Sequence, residues 1–242
     1  LTEDFPRDHR HHRGVFWAWP HVKVDGREYQ SWIPAQFAYR NEWWNTRRTD
    51  EGNAVLEAVN GWHAGGEKIV EEQLRIQVHP AEEGRRAIDF EFTWTATDEP
   101  VSLKGRQRKS YGGFNFRFNT RVQEEDGIDA DEVTITVPDG VSEGDLLNTR
   151  LEWADLVAPF PGGKGRSGAA VLIHDSHPDY PPAWLTRHYG CLCVGWPGVE
   201  ARTLQPGEPV TCSYRVLVHS GQHGQQELKK AHRRYIGKTA GE

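Results

Sequence analysis

The stretch IDFEFTWTA, residues 88–96, carries the clearest fold signal in this chain of 242 residues. Apolar side chains stand at every second position from Ile88 to Ala96, and acidic or threonine side chains fill the positions between them. Successive side chains of a strand point to opposite faces of a sheet, so this period of two predicts a strand with one buried and one polar face.

Similar patterns extend along the rest of the chain. Further strands are predicted, by apolar alternation or short apolar runs, at residues 74–78, 114–118, 133–137, 151–153, 169–173, 190–196 and 212–218. Many short strands without a βαβ rhythm predict an all-β fold, an antiparallel β-sandwich. A chain of this length fits one such domain, and we expect a single domain over residues 1–242.

The connections between the strands are predicted from their turn residues. Asn60-Gly61 and residues 64–67 both carry the glycine chemistry of tight turns. Residues 32–44 are aromatic and polar without a clean period, which indicates a loop and a short strand. Residues 225–235, followed by Gly237, predict one C-terminal helix.

Charge and hydropathy exclude two classes of partner. The 29 Lys and Arg residues are spread along the chain and the formal net charge is -6, so we expect no nucleic-acid partner. No apolar run approaches the ~18–20 residues of a membrane span, so we expect no membrane partner and a soluble, cytoplasmic protein.

Cysteine usage and the start of the chain add two expectations. The three cysteines are odd in number, and Cys191 and Cys193 share one strand face, which favours reduced thiols over a disulfide framework. The sequence starts at Leu1 without a methionine, so we expect that early strands or a signal peptide precede it, which leaves secretion open.

The first candidate site is the stretch DHRHHRG, residues 8–14. Imidazoles exchange protons near neutral pH or bind metal, and a carboxylate or guanidinium beside them orients a ring or holds an anion. We expect His11 and His12 to act as acid and base, with Arg13 beside them. One divalent metal ion held by His9, His11 and His12 is an alternative; simple packing of the imidazoles is another.

A second candidate site follows the predicted strand 169–173. His177 and Arg187 are expected to be catalytic because they lie on or beside a proline-rich loop, where functional residues are common. The alternative is an ordinary surface pair between Arg187 and a local aspartate. Ser176 has neighbours that resemble a hydrolase triad, but triad members are rarely adjacent in sequence, so we reject a triad.

Strand faces supply further candidates. Asn115 and Arg117 lie on the polar face of the strand at 114–118, where they suit sugar hydroxyls or carboxylates, and Arg117 is a candidate electrostatic clamp. Glu71 or Glu91 on other polar faces is a candidate base, with a solvated sheet face as the alternative. Tryptophans outside clean alternation, which include Trp17 and Trp184, are expected to stack on sugar rings or to pack in the core.

Several of these segments together resemble the PmoA-like family of unknown function. The resemblance spans nearly the whole chain and is carried by residues 8–14 with Trp17, by Tyr111-Gly112-Gly113-Phe114 with Arg117, by His177-Pro178, by residues 184–190 and by residues 214–221. The inherited label of that family, methane oxygenase, belongs to a multi-span membrane subunit, and we interpret it as a misnomer because nothing here spans a membrane. Two family positions differ, at Val24-Asp25-Gly26 and at Asp179, so roles of the amides there do not carry over.

The resemblance implies a β-sandwich of jelly-roll or mutarotase-like type that acts on carbohydrate. It adds Tyr111 and Tyr189 as expected substrate-binding residues, and the expected ligand is a small molecule or oligosaccharide. The leading hypothesis is a lyase, hydratase or epimerase acting on a sugar or keto-sugar. A non-catalytic carbohydrate-binding sandwich is second, and a metal-dependent oxygenase is last. If these residues form one site, His11 or His12 should share one cleft with Arg117, His177 or Arg187.

Overall fold

The computed structural model describes residues 1–2, 6–7, 9–122 and 127–237. Within these residues the chain forms eighteen strands, a short 3-10 helix (Ala130–Glu132) and one α-helix, α1 (Gln225–Tyr235). The strands in chain order are β1 (Val15–Ala18), β2 (His21–Val24), β3 (Arg27–Tyr29), β4 (Phe37–Arg48), β5 (Ala54–Ala64), β6 (Glu67–Val78), β7 (Arg85–Ala96), β8 (Val101–Lys104), β9 (Gly113–Arg117), β10 (Thr134–Val137), β11 (Gly140–Val141), β12 (Leu147–Arg150), β13 (Trp153–Ala158), β14 (Ser167–Ile173), β15 (Ala183–Arg187), β16 (Cys191–Gly195), β17 (Arg202–Leu204) and β18 (Val210–Ser220).

These strands form three antiparallel sheets. The largest has nine strands in the order β11-β10-β13-β14-β18-β7-β6-β5-β4, and a second has five in the order β1-β9-β16-β15-β12. A small third sheet follows the order β17-β8-β2-β3. The predicted all-β antiparallel sandwich with one C-terminal helix is therefore confirmed.

The core lies between the two larger sheets and is rich in aromatic rings. Phe92 and Trp94 of β7 are almost completely buried. The Phe92 ring centroid lies 4.7 Å from Trp17 of β1, and Trp94 lies 5.3 Å from Trp196, which follows β16. The apolar face predicted for residues 88–96 is thus the face that joins the two sheets.

Helix α1 covers part of the outer face of the nine-stranded sheet. Leu228 is 1% exposed and packs with Trp153, Leu172 and Leu217. The predicted helix bounds are confirmed, and Gly237 after the helix has a φ of 73°. No helix in the described part of the chain is both long and apolar enough to cross a membrane.

Three predictions about elements were wrong. Asn60-Gly61 does not form a turn but lies within strand β5. A two-residue hairpin turn needs positive φ at both central positions. Gly65 and Gly66 meet this condition, with φ of 61° and 97°, and form the turn after β5. The predicted short strand near residue 44 is the twelve-residue β4, whose side chains are mostly exposed at the sheet edge and therefore show no apolar period. The strand predicted at 151–153 begins only at Trp153.

Candidate functional site

One face of the five-stranded sheet packs on the core, and the other face forms the floor of a cavity of about 620 Å³. In β9, Phe114 and Phe116 point to the core and Asn115 points to the cavity. Antiparallel register places Asn115 opposite Phe16 on one side and Cys193 on the other. The predicted polar face of residues 114–118 therefore contributes Asn115 to the floor of this cavity.

The cavity brings together side chains from distant parts of the chain. Its wall and floor include three imidazoles, several aromatic rings, amides and charged groups: His9, His11, His12, Phe16, Gln30, Trp32, Lys109, Tyr111, Asn115, Asp145, Arg187 and Tyr189.

A stack of parallel rings forms one side of the cavity. The His9 and His12 centroids lie 4.6 Å apart with planes 8° from parallel. Tyr189 lies 6.3 Å from His9, and Phe16 lies 5.0 Å from His12. The Arg117 guanidinium carbon lies 4.6 Å from the Tyr189 ring centroid. Since each ring is held by its neighbour, the stack fixes the orientation of both imidazoles.

His11 belongs to a second string of rings. Its ring meets His12 nearly perpendicularly, with centroids 4.6 Å apart. The Trp32 ring lies 5.9 Å from His11 and 6.0 Å from Tyr111. The exposed His11 imidazole therefore stands beside the half-buried His12 imidazole, with an aromatic surface behind it.

A carboxylate holds Arg187 at the opposite side. Asp145 accepts hydrogen bonds from Arg187 Nη1 at 2.9 Å and from the backbone N–H of His188 at 2.8 Å, and its Oδ1 lies 3.0 Å from His188 Nδ1. Burial opposes the charge, but these hydrogen bonds outweigh it and lower the pKa of Asp145. A charged Asp145 fixes the Arg187 guanidinium at the cavity wall.

Glycines allow the loop over residues 105–112 to lie against β16. A Cβ added to Gly195 would collide with the carbonyl oxygen of Ser110. One added to Gly113, whose φ is 128°, would lie 2.5 Å from the Val194 carbonyl oxygen. This close approach places Lys109 and Tyr111 at the cavity.

Of the residues expected to share one cleft, the structure brings together His11, His12 and Arg187, which line the same cavity. The predicted residues His9, Tyr111, Asn115 and Tyr189 also line it. Asp8, which belongs to the predicted histidine stretch, lies outside the described residues.

His177 does not reach this cavity, which corrects its expected place in the shared cleft. It is 3% exposed, and burial lowers its pKa to about 3, with Arg202 as a second cause. Its Nδ1 accepts the backbone N–H of Asp179, so the neutral ring carries its proton on Nε2, 3.3 Å from Tyr214 Oη. These contacts make His177 a neutral packing residue.

Trp184 also lies away from the cavity, because the parity of β15 turns it to the core. It is fully buried and donates its indole N–H to the Leu151 carbonyl. Its neighbour Leu185 and, two positions further, Arg187 point to the cavity instead. The expected stacking of Trp184 on a sugar is therefore corrected.

The remaining candidates lie at the margins. Arg13 is exposed and does not line the cavity, and Arg117 is 5% exposed beneath the Tyr189 ring. Trp17 lines a neighbouring groove. Glu91 is exposed on the outer face of the nine-stranded sheet, where it lies opposite Arg75. Glu71 lies on the same outer face, beside Lys68. Neither carboxylate therefore reaches the cavity.

The ring geometry does not support the predicted metal ligands. Among the described residues, no group of three His, Cys, Asp or Glu side chains is placed to hold a metal ion. Imidazole lone pairs lie in the ring plane, so the nearly parallel rings of His9 and His12 direct them along parallel lines and not toward one point. Metal binding stays a prediction, which elemental analysis of untagged protein purified without chelator tests.

Sequence patterns missed several cavity residues. Asp145, Lys109 and Gln30 stand in loops or beside turns, where no periodicity marks them. Cys193 carries a free buried thiol whose pKa is raised by burial, so the cavity floor is neutral there. For Asp145, the sequence analysis offered one signal, the expectation that Arg187 pairs with an aspartate. In the structure that aspartate is Asp145, 42 residues away in sequence.

The fold and cavity define an antiparallel β-sandwich with a histidine-lined pocket on one sheet. The chain belongs to a family of unknown function (DUF6807), whose model matches residues 1–233. This match says nothing about PmoA, so that part of the resemblance stays a prediction. No curated protein matches the chain. Among solved structures, it is similar to a galactose mutarotase related enzyme from Lactobacillus acidophilus, at 11% identity and a TM-score of 0.41, over 88% of this chain and 85% of that one.

Proposed function

We propose that the cavity binds a sugar or keto-sugar and that His11 and His12 transfer protons to and from it, in a lyase, hydratase or epimerase reaction. The observation that carries this proposal is the perpendicular contact of two imidazoles, 4.6 Å apart, in one cavity with the Arg187 guanidinium. Two groups that can each hold or release a proton near neutral pH are the minimum for moving a proton between two sites.

The lining suits a hydroxylated ring. A volume of about 620 Å³ falls among small-molecule sites. Trp32 and Tyr111 offer apolar ring surface, whereas Asn115 and Gln30 offer both donors and acceptors for hydroxyl groups. Lys109 and Arg187 add positive charge for a carbonyl or carboxylate oxygen.

The reaction follows from these groups. One neutral imidazole removes the proton from a carbon next to the sugar carbonyl, and the electron pair of that C–H bond moves to the carbonyl oxygen as an enolate. Arg187 or Lys109 stabilises the oxygen charge. The second imidazole, as imidazolium, returns a proton to the same carbon for epimerisation. For elimination it protonates the oxygen that departs from the next carbon instead. The enolate oxygen pair re-forms the C=O bond, the enolate C=C pair becomes the new C=C bond, and the C–O bond breaks with its electron pair on the departing oxygen; hydration is the reverse.

Arg117 and Asp145 act through other residues and do not contact the reacting atoms. Arg117 supports the ring of Tyr189, which lies parallel to His9. Asp145 holds Arg187. Both are therefore positioning residues.

The test uses solvent exchange, since proton removal precedes any product. A panel of keto-monosaccharides is incubated with the protein in D2O, and loss of the C–H signal beside the carbonyl is followed by NMR. We expect exchange with at least one member, and a loss of about 10²-fold or more in His12→Gln, as is typical for removal of a general base or acid.

The matched control is His174→Gln, since His174 lies outside the cavity lining and its ring contacts Ser176, Asp175 and Tyr235 instead. This variant should keep the wild-type exchange rate. Exchange that survives unchanged in both His11→Gln and His12→Gln would refute the proposal.

A second candidate, carbohydrate binding without catalysis, is favoured by the many rings in the lining. It predicts that sugars bind without any exchange in D2O. In that case substitution of Trp32 or Tyr111 by alanine should weaken binding, and His12→Gln should leave it nearly unchanged.

A further inference from the structure

A second groove, of about 450 Å³, opens beside the cavity on the flank of the sandwich. It lies where β1, the edge strand of the five-stranded sheet, meets the inner face of β4 and β5. His11, Phe16 and Trp32 line both spaces. The cavity and the groove are therefore adjacent, and these three side chains lie at their common border.

The groove has a fixed floor built around a buried carboxylate. Glu72 is completely buried, and its Oε2 accepts the indole N–H groups of Trp17, Trp62 and Trp94 at 2.7, 3.0 and 2.9 Å. Its Oε1 accepts the side-chain N–H of Asn60 at 2.9 Å. Because each donates a hydrogen bond to this buried carboxyl group, Trp17 and Asn60 are held in place before any ligand arrives.

Two amides and a phenol edge the groove. Asn41 donates from Nδ2 to Asn60 Oδ1 at 2.9 Å, and Tyr39 donates to the Trp17 carbonyl at 3.3 Å. Asn41 is exposed, and its Oδ1 has no hydrogen-bond donor in the part of the chain that the structure describes. This oxygen can accept a ligand hydroxyl.

An exposed tryptophan follows on the same face of β4. Asn41 pairs with Asn60 and Trp44 pairs with Ala58, two residues further along β5, so the Asn41 and Trp44 side chains share the inner face. Trp44 is 63% exposed. Trp43 pairs with Val59 and therefore points to the opposite face, where it is 51% exposed.

We propose that this groove binds the second ring of a glycoside whose first ring occupies the histidine cavity. Aromatic surface with amides at its edge is the chemistry that recognises sugar rings. This inference rests on the proposed function, and it makes the substrate class a glycoside of at least two rings.

The test compares unoxidised disaccharides, namely cellobiose, maltose and lactose, with the methyl monosaccharides of their component sugars. We expect at least one disaccharide to bind with a Kd about tenfold lower than its monosaccharides, the order that an added aromatic contact supplies. Saturation-transfer NMR should then show magnetisation reaching both rings of the bound disaccharide, a readout that needs no variant.

Variants locate the second ring. Asn41→Ala and Trp44→Ala should each reduce the disaccharide advantage from about tenfold to about twofold. Trp43→Ala is the matched control, since it removes a neighbouring exposed tryptophan from the opposite face, and it should keep the full advantage.

The results of these experiments distinguish a failure of the second-ring site from a failure of the proposed sugar chemistry in the histidine cavity. If monosaccharides bind and keto-monosaccharides exchange in D2O, but disaccharides gain nothing or only one ring receives saturation, the second-ring site is refuted alone. If Trp43→Ala and Trp44→Ala behave alike, the assignment of the face is refuted. If no sugar binds or exchanges, both proposals are refuted together.

Discussion

At the scale of single residues, Glu72 shows how one polar group can organise a core. It lies on the buried face of β6, at the parity of Val70 and Leu74, yet it is a carboxylate. Burial raises its pKa, and the four N–H donors act in the opposite direction by favouring the charged form. The group is tolerated because each donor finds an acceptor and each carboxylate oxygen finds a donor.

Replacing Glu72 tests this balance. Glu72→Ala leaves three indole donors without their acceptor, two of them on buried tryptophans, so the free energy of unfolding should fall by about 3 kcal/mol or more in urea denaturation. Glu72→Gln keeps the shape and should cost roughly 1 kcal/mol. Glu71→Ala, the neighbour on the outer face, is the control and should change stability by less than about 0.5 kcal/mol. Equal losses for Glu71→Ala and Glu72→Ala would contradict the role of Glu72.

Asp89 is a second residue whose charge matters for stability. It accepts two hydrogen bonds from Arg215, at 2.6 and 2.7 Å, and lies 2.7 Å from His79 Nε2. Burial opposes ionisation, but the contacts with Arg215 and His79 prevail and lower the pKa of Asp89.

The lowered pKa fixes the direction of the pH dependence. The stabilisation is fully present above the unfolded-state pKa of Asp, about 4, and is lost as pH falls through the lower folded-state value. Asp89→Asn should therefore reduce the free energy of unfolding by roughly 1–3 kcal/mol at pH 7, and by clearly less near pH 3. Urea denaturation of both proteins across that range checks this; a difference that grows toward low pH would contradict it.

At the scale of elements, alternate residues along the strands of the five-stranded sheet point to opposite faces, one toward the core and the other toward the cavity. Even-numbered residues of β9, Phe114 and Phe116, build the core, whereas Asn115 lies at the cavity. Strand β15 repeats the division, with Trp184 in the core and Leu185 and Arg187 at the cavity. A shift of one residue in either strand would exchange the two faces.

The contact between β16 and the loop over residues 105–112 is a testable feature of this sheet. Gly195→Ala puts a methyl group against the Ser110 carbonyl and should destabilise the protein by about 1–3 kcal/mol, as overpacking does. It should also weaken sugar binding, because Tyr111 and Lys109 depend on that loop. Gly144→Ala is the control, since nothing lies within 4 Å of its added Cβ. Thermal unfolding and ligand titration measure both effects; a Gly195→Ala variant as stable as Gly144→Ala would show that the approach is not tight.

At the scale of the whole molecule, helix α1 closes the outer face of the nine-stranded sheet opposite the core. Leu228 inserts between Trp153, Leu172 and Leu217, which come from three different strands. These strands, β13, β14 and β18, are neighbours in the nine-stranded sheet, so the helix packs across all three.

Truncation of the Leu228 side chain tests how much helix packing contributes to the stability of the fold. Leu228→Ala should lower the free energy of unfolding by about 2–4 kcal/mol, through lost burial and a residual cavity. The exposed neighbour Lys229 provides the control, and Lys229→Ala should be close to neutral. If the Leu228→Ala unfolding curve overlays the wild type, the helix does not dock as described.

The element predictions succeeded where a signal is local. Residues 88–96 alternate over nine positions, and residues 225–235 have loosely spaced apolar side chains followed by a glycine stop, so both elements were predictable from neighbouring residues. Prediction failed for β4, because an exposed edge strand buries little on either face and so has no apolar period. It failed for Asn60-Gly61, because the turn motif is overridden by pairing with β4 and β6.

The candidate site was predictable in part. Residue type proposed His9, His11, His12, Asn115 and Arg187, and the family resemblance added Tyr111 and Tyr189. The structure places all seven side chains in one cavity. Trp184 and His177 had the same residue-type signal but lie in buried positions. Residue type therefore predicts chemical capacity, whereas accessibility depends on which way each strand faces.

The sequence by itself determined the all-β class, the strands with a clear apolar period, the helix and a histidine-rich candidate site, because these depend on side-chain period and composition over short distances. Only the tertiary structure decided which side chains meet. Asp145 reaches Arg187 across 42 residues, and Trp17 reaches Glu72 across 55. Such pairs form because burial of the apolar faces of two packed sheets fixes the register of the antiparallel strands. That register depends on the whole chain and not on any one segment.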